Sequence, residues 1–215
     1  MIDIKNNNSK EILVLKGATI IPCTVTPLLL GRPTSIQSLE LALEKKEGIG
    51  VFLQKNSDSE IMDINDIYPI GVYVKIIEIA KNTKGNIKVL LEGQYRIQIT
   101  TINKENNVFY SEYEKIDTTY NLKEEIEWEI LWKNFISYYQ KYKEYNKKLP
   151  DAFIPHSFSL IDVESAIDIV AGIILLNIQD KQKYISIINL ENRIHYLINF
   201  INKEITIIEV EKKIK

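Results

Sequence analysis

The stretch Gly71-Val72-Tyr73-Val74-Lys75-Ile76-Ile77-Glu78-Ile79, the polar cluster Asn82-Thr83-Lys84-Gly85-Asn86, and then Ile87-Lys88-Val89-Leu90-Leu91 read as a β-hairpin. The first arm alternates as a half-buried strand does, and the Asn- and Gly-containing cluster supplies the turn. Strand-like runs continue on both sides. Upstream lie Glu11–Leu15, a run from Ile20-Ile21-Pro22 into Thr24–Leu30, and Ile49–Gln54; downstream, past Glu92-Gly93, lie Tyr95–Ile99 and Val108–Ile116. Pro22 and Pro27 cannot donate to a ladder, so their strands belong at an edge or carry bulges. Gly31-Arg32 is a turn, and Pro33 fits the first position of a helix that runs through Ile36 and Leu39 to about Lys46 and that Gly48 stops. Residues 54–66 are polar and loop-like. About six short strands with one helix predict a curved sheet or partial barrel.

Near Thr118 the period changes from 2 to 3.6. Trp128, Leu131, Trp132, Phe135, Tyr138, Tyr139, Tyr142, Tyr145 and Leu149 form one helical stripe, closed by Pro150. Asp162-Val163-Glu164 opens a second helix, and Asp180 caps a short third. Ile194, Leu197, Ile198, Ile201, Ile205 and Ile208 mark a last helix with no stop signal before Lys215. The fold class is therefore α+β. We divide the chain into a flexible N-terminus (1–10), a β-rich lobe (11–117), a helical lobe (118–189) and the start of a long helix (190–215).

Composition narrows the function. The 215 residues carry 27 Lys+Arg against 29 Asp+Glu, a formal net charge of -2. Residues 1–117 hold 14 basic and 15 acidic side chains, so neither half has the basic excess of a dedicated nucleic-acid binder. Cys23 is the only cysteine, which rules out a disulfide framework and a cysteine-based zinc site. The first residues do not form a signal peptide, and no run of about 18 apolar residues predicts a membrane span. A reducing compartment, the cytoplasm, is the expected location.

No catalytic apparatus emerges. Gly48-Ile49-Gly50 lacks the third glycine of a nucleotide loop and opens a strand. His156, in a loop, and His195, near the apolar face of the last helix and expected to be partly buried, are too far apart for a zinc motif. Cys23 reads as a small hydrophobe among apolar strand residues. The acidic run Glu124, Glu125, Glu127 and Glu129 reads as complementing a helix dipole. Aromatics and lysines interleave from Tyr138 to Lys148, but the tyrosines continue the apolar stripe begun by Trp128. Burying each is worth about 1.5–3 kcal/mol, so a core role outweighs stacking on nucleic acid.

The motifs, taken in order, resemble the N-terminal domain of the Lon ATP-dependent protease family. The resemblance begins with Leu13-Val14-Leu15, Ile21-Pro22 and Thr26-Pro27-Leu28-Leu29-Leu30-Gly31-Arg32-Pro33-Thr34-Ser35-Ile36. It continues through Tyr68–Ile76 and Gly85–Arg96, and then through Asp162–Ala171, Asp180-Lys181-Gln182, Asn192-Arg193 and Glu204–Ile214. Arg32, Arg96 and Arg193, the only arginines, all fall on motif positions. Val14 replaces a usual proline, Cys23 stands where Gly or His is common, and Pro33, Thr34 and Gln37 replace a charged patch.

The resemblance implies a PUA-like partly open β-barrel with one helix, followed by a helical bundle ending in a long helix. That helix would lead toward an ATPase ring and a Ser-Lys protease absent from these residues. The parent would be an ATP-dependent serine endopeptidase; ATP and Mg would be bound in the missing domain, leaving no cofactor, metal or catalytic residue here. Expected partners are unfolded or damaged protein substrates and further copies of the chain in a hexamer. The expected substrate-binding residues are Arg32, Pro33, Thr34, Gln37, Leu28, Leu30 and Tyr73, on a surface made by Ile21–Leu30, Gly31–Gln37 and Tyr73–Ile79. Arg32 and Arg96 are expected to be mainly structural. The alternatives are a free-standing binding protein complete at Lys215 and an RNA-binding PUA-like module, which the charge disfavours.

Overall fold

The computed structural model describes residues 9–81, 85–150 and 159–214. Residues 1–8, the Asn82–Lys84 part of the turn cluster and His156 lie outside the described residues. The chain divides into two compact units, one running to Ile116 and the other from Asp117.

Among the described residues the first unit is a single sheet of eight strands with one α-helix and a short 3-10 helix at Ile64–Asp66. In chain order these are β1 (Lys10–Leu15), β2 (Val25–Leu30), helix α1 (Pro33–Lys45), β3 (Ile49–Leu53), β4 (Ile70–Lys81), β5 (Ile87–Ile99), β6 (Asn103–Glu105), β7 (Val108–Ser111) and β8 (Tyr113–Lys115). The strand order is β2-β5-β4-β3-β1-β7-β6, with β8 also on β5. β7 pairs with β1, and β8, starting two residues after β7 ends, pairs with β5. The path therefore returns to β5 and closes a partial barrel, while β2 and β6 stay outside the closure as edges. Register shifts at Tyr73/Val74 and Ile76/Glu78 give the β4–β5 ribbon the bends that closure needs.

Alternation along β1 explains the two layers of core. Ile12 and Val14 join Phe52, Ile67, Ile97, Ile99 and Phe109 in one buried cluster. Leu13 and Leu15 point the other way, and α1 covers that side of β1 with the buried Leu39 and Ala42. α1 ends at Lys46, which takes a left-handed φ of 57°. Lys46 N–H bonds to the Leu43 carbonyl and Glu47 N–H to that of Ala42. Gly48 is thus not the helix stop; a Cβ there would meet the Val74 carbonyl at 2.3 Å, so its role is close strand approach.

Two further expectations are corrected here. Residues 87–91 and 95–99 are one continuous strand, because Glu92 and Gly93 stay in the ladder with β4. Cys23 is not a buried strand residue. It is exposed in a turn at φ 59°, because the chain must reverse between Ile21 and Thr24.

The second unit is helical: α2 (Glu125–Tyr145), α3 (Leu160–Ile174), α4 (Ile178–Ile185) and α5 (Leu190–Ile214). α2 packs on α5 through buried Trp128, Leu131, Trp132, Phe135, Tyr139 and Tyr142. It stops at Tyr145, one turn before Leu149. α3 opens at Leu160, two residues before Asp162, and α4 is capped by Asn177, whose side chain accepts from the Gln179 N–H at 2.7 Å, rather than by Asp180. Arg193, with no exposed surface, anchors the bundle. Its Nη2 lies 2.8 Å from Glu164 and 2.7 Å from the Thr118 hydroxyl, and Nη1 is 3.4 Å from Asp168. Asp168 also accepts from the Tyr184 hydroxyl at 2.5 Å. His195 is exposed, on the opposite side of α5 from its packed face.

Candidate functional site

β2 is an edge strand, and its pairing with β5 decides what it shows. Val25 lies opposite Glu92, Pro27 opposite Leu90 and Leu29 opposite Lys88; on the next strand Glu78 faces Leu90 and Ala80 faces Lys88. Residues opposite one another share a face. One face therefore carries Val25, Pro27, Leu29, Leu90 and Ala80 among Glu78, Lys88 and Glu92. Val25 and Leu29 are 53% and 59% exposed. The other face carries Leu30, Ile87, Val89 and Leu91, all buried. A cleft of about 450 Å³ opens here, floored by Pro27, Leu29 and Leu90 and edged by Glu78 and Lys88.

The strand is held in place at its start by Gly93. Cys23 N–H bonds to the Gly93 carbonyl and Gly93 N–H to the Thr24 carbonyl, both at 2.9 Å. A Cβ on Gly93 would meet the Ile21 carbonyl at 2.4 Å, so only glycine lets the turn cross β5 so closely.

A second cleft, of about 400 Å³, continues from the first along Pro27, Leu28 and Leu29 to Lys16, Arg32 and Ser35. Arg32 is the residue before α1, and its Nη2 donates to the carbonyl of Val14. Burial pulls the pKa of this guanidinium below its ordinary value, and no carboxylate among the described residues offsets the effect.

The expected binding residues divide between these features and the barrel. Leu28 lines both clefts, and Leu30 and Arg32 line the second. Pro33 and Gln37 are exposed on the first turns of α1, and Thr34 is half-buried between them. Leu30 has its side chain buried at 5% exposure. Tyr73 lines neither cleft: it stacks on Tyr95 at 5.0 Å, 6.5 Å from the Tyr113 ring and against the barrel core. Arg96 is buried in β5.

The expected surface stretches Ile21–Leu30, Gly31–Gln37 and Tyr73–Ile79 contain Pro27, Leu29, Ser35 and Glu78 without naming them individually, and they miss Lys16, Ala80, Lys88 and Leu90. The signal for Leu29 was present only in part. Leu28-Leu29-Leu30 is uniformly apolar, so its alternation has no readable phase until β5 is known to pair with it. Chemically this surface offers apolar contact, main-chain groups of an open edge and a few donors. Among the described residues no three His, Cys, Asp or Glu side chains are placed to hold a metal. No helix among them is long and apolar enough to cross a membrane.

The first unit is a partly closed barrel with an apolar open edge, and the second is a helical bundle. The model of the ATP-dependent protease La (LON) substrate-binding domain matches residues 11–203, and the chain belongs to that family. It is 30% identical over 204 residues to the Lon protease of Vibrio parahaemolyticus and 29% identical to that of Escherichia coli K12. Each match covers 95% of this chain and 26% of the relative, so the chain spans about a quarter of the length of these curated relatives. The N-terminal domain of Mycobacterium avium complex Lon protease shares the fold, with a TM-score of 0.64 at 16% identity over 90% of this chain and 98% of that one. A Lon N-terminal domain protein from Xanthomonas campestris does so with a TM-score of 0.59 at 13% identity, over 89% and 97%.

Proposed function

We propose that this chain holds exposed apolar segments of unfolded or damaged proteins for a Lon-type protease whose ATPase and Ser-Lys protease parts lie outside these residues. ATP and Mg would act there, and this domain would need neither. The supporting observation is the open face of β2, where Val25, Pro27 and Leu29 stand exposed beside the cleft over Leu90. An unfolded chain offers alternating apolar side chains and free main-chain groups, and an edge strand with an apolar cleft meets both.

Each site is shallow, so single-copy affinity is micromolar or weaker, on the order of −8 kcal/mol or less favourable than that. Six copies in a hexamer would raise the effective affinity without new contacts. The cytoplasm is the proposed location.

Photo-crosslinking tests this reading. A reduced, carboxymethylated client is presented to variants carrying a photoreactive residue at Val25, Leu29, Lys88 or, as a control, at Glu60. Adducts are expected at the first three positions. Adducts confined to the control position, or none in residues 11–117, defeat the proposal.

A further inference from the structure

The two open edges of the sheet are built differently. β6 reads Asn103-Lys104-Glu105, short and charged, which is how an edge is kept from pairing with another chain. β2 is six residues long and carries no charge, Val25-Thr26-Pro27-Leu28-Leu29-Leu30. An uncharged edge of that length is a template for a further strand. The phase of its ladder is fixed at Gly93, whose N–H bonds to the Thr24 carbonyl. Alternate residues of an antiparallel pair turn both main-chain groups to the partner, so Thr26, Leu28 and Leu30, in register with Leu91, Val89 and Ile87, face β5. Val25, Pro27 and Leu29 turn theirs outward. Pro27, which has no N–H, thus sits where β5 needs none. The outer edge offers three carbonyls and the N–H groups of Val25 and Leu29, and the side chains of these same residues stand on the apolar cleft face.

Charge gives the edge a direction. Lys88 lies opposite Leu29, and Arg32 follows the strand by two residues. Lys88 edges the first cleft, Lys16 and Arg32 line the second, and the lining of the second holds no carboxylate. At the other end Glu92, opposite Val25, has Lys75 opposite it on β4. The Leu29 end is therefore basic and the Val25 end balanced. Antiparallel pairing is the more stable of the two arrangements per residue. We propose that β2 takes up a client segment as an added antiparallel strand. Alternate apolar residues of the client bond to Val25 and Leu29 and lie on the cleft face, and an acidic residue precedes them beside Lys88, Arg32 and Lys16. A second copy of β2 fits less well: in the two-fold register that pairs Val25 with Leu29 the two prolines meet, and neither carbonyl there finds a donor. The proposal rests on the client reading above and adds the conformation, phase and direction of the bound segment.

Fluorescence anisotropy with the whole 215-residue chain tests it, using a labelled peptide in which one aspartate precedes valines alternating with threonines. Residues opposite Val25 and Leu29 in an antiparallel pair share their face and turn their N–H groups to them, so the valines carry the bonds. N-methylation of the valines is expected to weaken binding about tenfold or more, the size of two main-chain hydrogen bonds. N-methylation of the threonines, which stiffens the peptide equally, leaves affinity within about twofold. Moving the aspartate to the C-terminal flank costs about threefold, the size of an exposed ion pair. Pro27→Val supplies the missing donor and tightens binding severalfold. Any methylation pattern other than loss with the valines alone overturns the added antiparallel strand; if Leu29→Asp still weakens the unmodified peptide, the client reading stands. Equal affinity for the two aspartate placements overturns the direction, and Pro27→Val binding no tighter overturns the outer edge as the seat. Binding of no peptide, or binding indifferent to Leu29→Asp, overturns both the strand and the client reading.

Discussion

Arg32 donates from its guanidinium to the main-chain carbonyl of Val14, fastening the start of α1 to the C-terminal end of β1 across 18 positions of chain. Arginine reaches that carbonyl because its stem can lie along apolar surface while its planar head stays hydrated on one side. Arg32→Ala is expected to lower stability by about 1–2 kcal/mol, the worth of a charged donor at a half-exposed site. Arg32→Lys should lose less. Urea unfolding followed by far-ultraviolet circular dichroism measures both, and an unchanged midpoint for Arg32→Ala would count against the fastening role.

Cys23 holds a left-handed φ of 59° in the turn before β2. A side chain there costs about 1–3 kcal/mol of strain, of which the entropy of an unfolded glycine takes back about 0.4–1. Cys23→Gly should therefore stabilise by up to about 2.5 kcal/mol, and the β-branched Cys23→Val should destabilise. A midpoint that falls for Cys23→Gly would show that the thiol makes a compensating contact.

Leu29 and Leu30 are neighbours with opposite fates, 59% and 5% exposed. Leu29→Asp should change stability by less than about 0.5 kcal/mol while weakening client binding. Leu30→Asp places a carboxylate in the core and should prevent folding. Thermal melts with peptide anisotropy distinguish the two, and equal destabilisation by both would contradict the facing assigned to β2.

Arg193 has no exposure and joins Asp168, Glu164 and Thr118, with its Nε left without a partner. Removing one side of a buried ion pair costs about 3–5 kcal/mol because the other charge stays behind. Arg193→Ala should lose that much, read by the fluorescence of Trp128 and Trp132, both buried in α2. Arg193→Met with Asp168→Asn should recover part of it. A loss under about 1 kcal/mol for Arg193→Ala would leave the network without its anchoring role.

Tyr196 has its pKa pushed up to about 12, first by burial, then by the charge of Asp180 and the hydrogen bond to it. Below the ordinary tyrosine value of 10.0 the phenol is neutral folded or unfolded. Between there and about 12 the unfolded chain ionises first, so folded stability falls as pH rises through that window. Tyr196→Phe should flatten part of the fall in a series of denaturant titrations from pH 9 to 12. Because burial also raises the values for Tyr120 and Tyr142, the remainder of the slope persists. A slope unaltered by the substitution would remove Tyr196 from the alkaline transition.

Much of the architecture is readable from local pattern. The alternation of 71–79, the change to a 3.6 period near Thr118 and the stripe from Trp128 to Tyr142 correspond to β4, the helical unit and the buried face of α2. Misreadings fall where a local signal had a distant competitor. Gly48 looked like a helix stop, yet Lys46 ends α1 and Gly48 admits the Val74 carbonyl. Gly93 looked like a strand break, yet it stays paired so that the turn after Ile21 can cross it. Of the residues picked for the binding surface, Leu28, Leu30 and Arg32 line clefts, while Tyr73 belongs to a stack with Tyr95 that only strand pairing creates.

Chain order and residue type were enough to establish an α+β chain of mixed strands and helices, without the cysteines or histidine motif of a metal centre, and its family likeness. Those properties depend on periods of two to four residues and on short motifs, which act within one element. Which leucine of the 28–30 run meets solvent and that Arg32 reaches Val14 came from long-range pairing. A uniform apolar run has no phase of its own. It acquires one when a partner strand far away in sequence covers one of its faces.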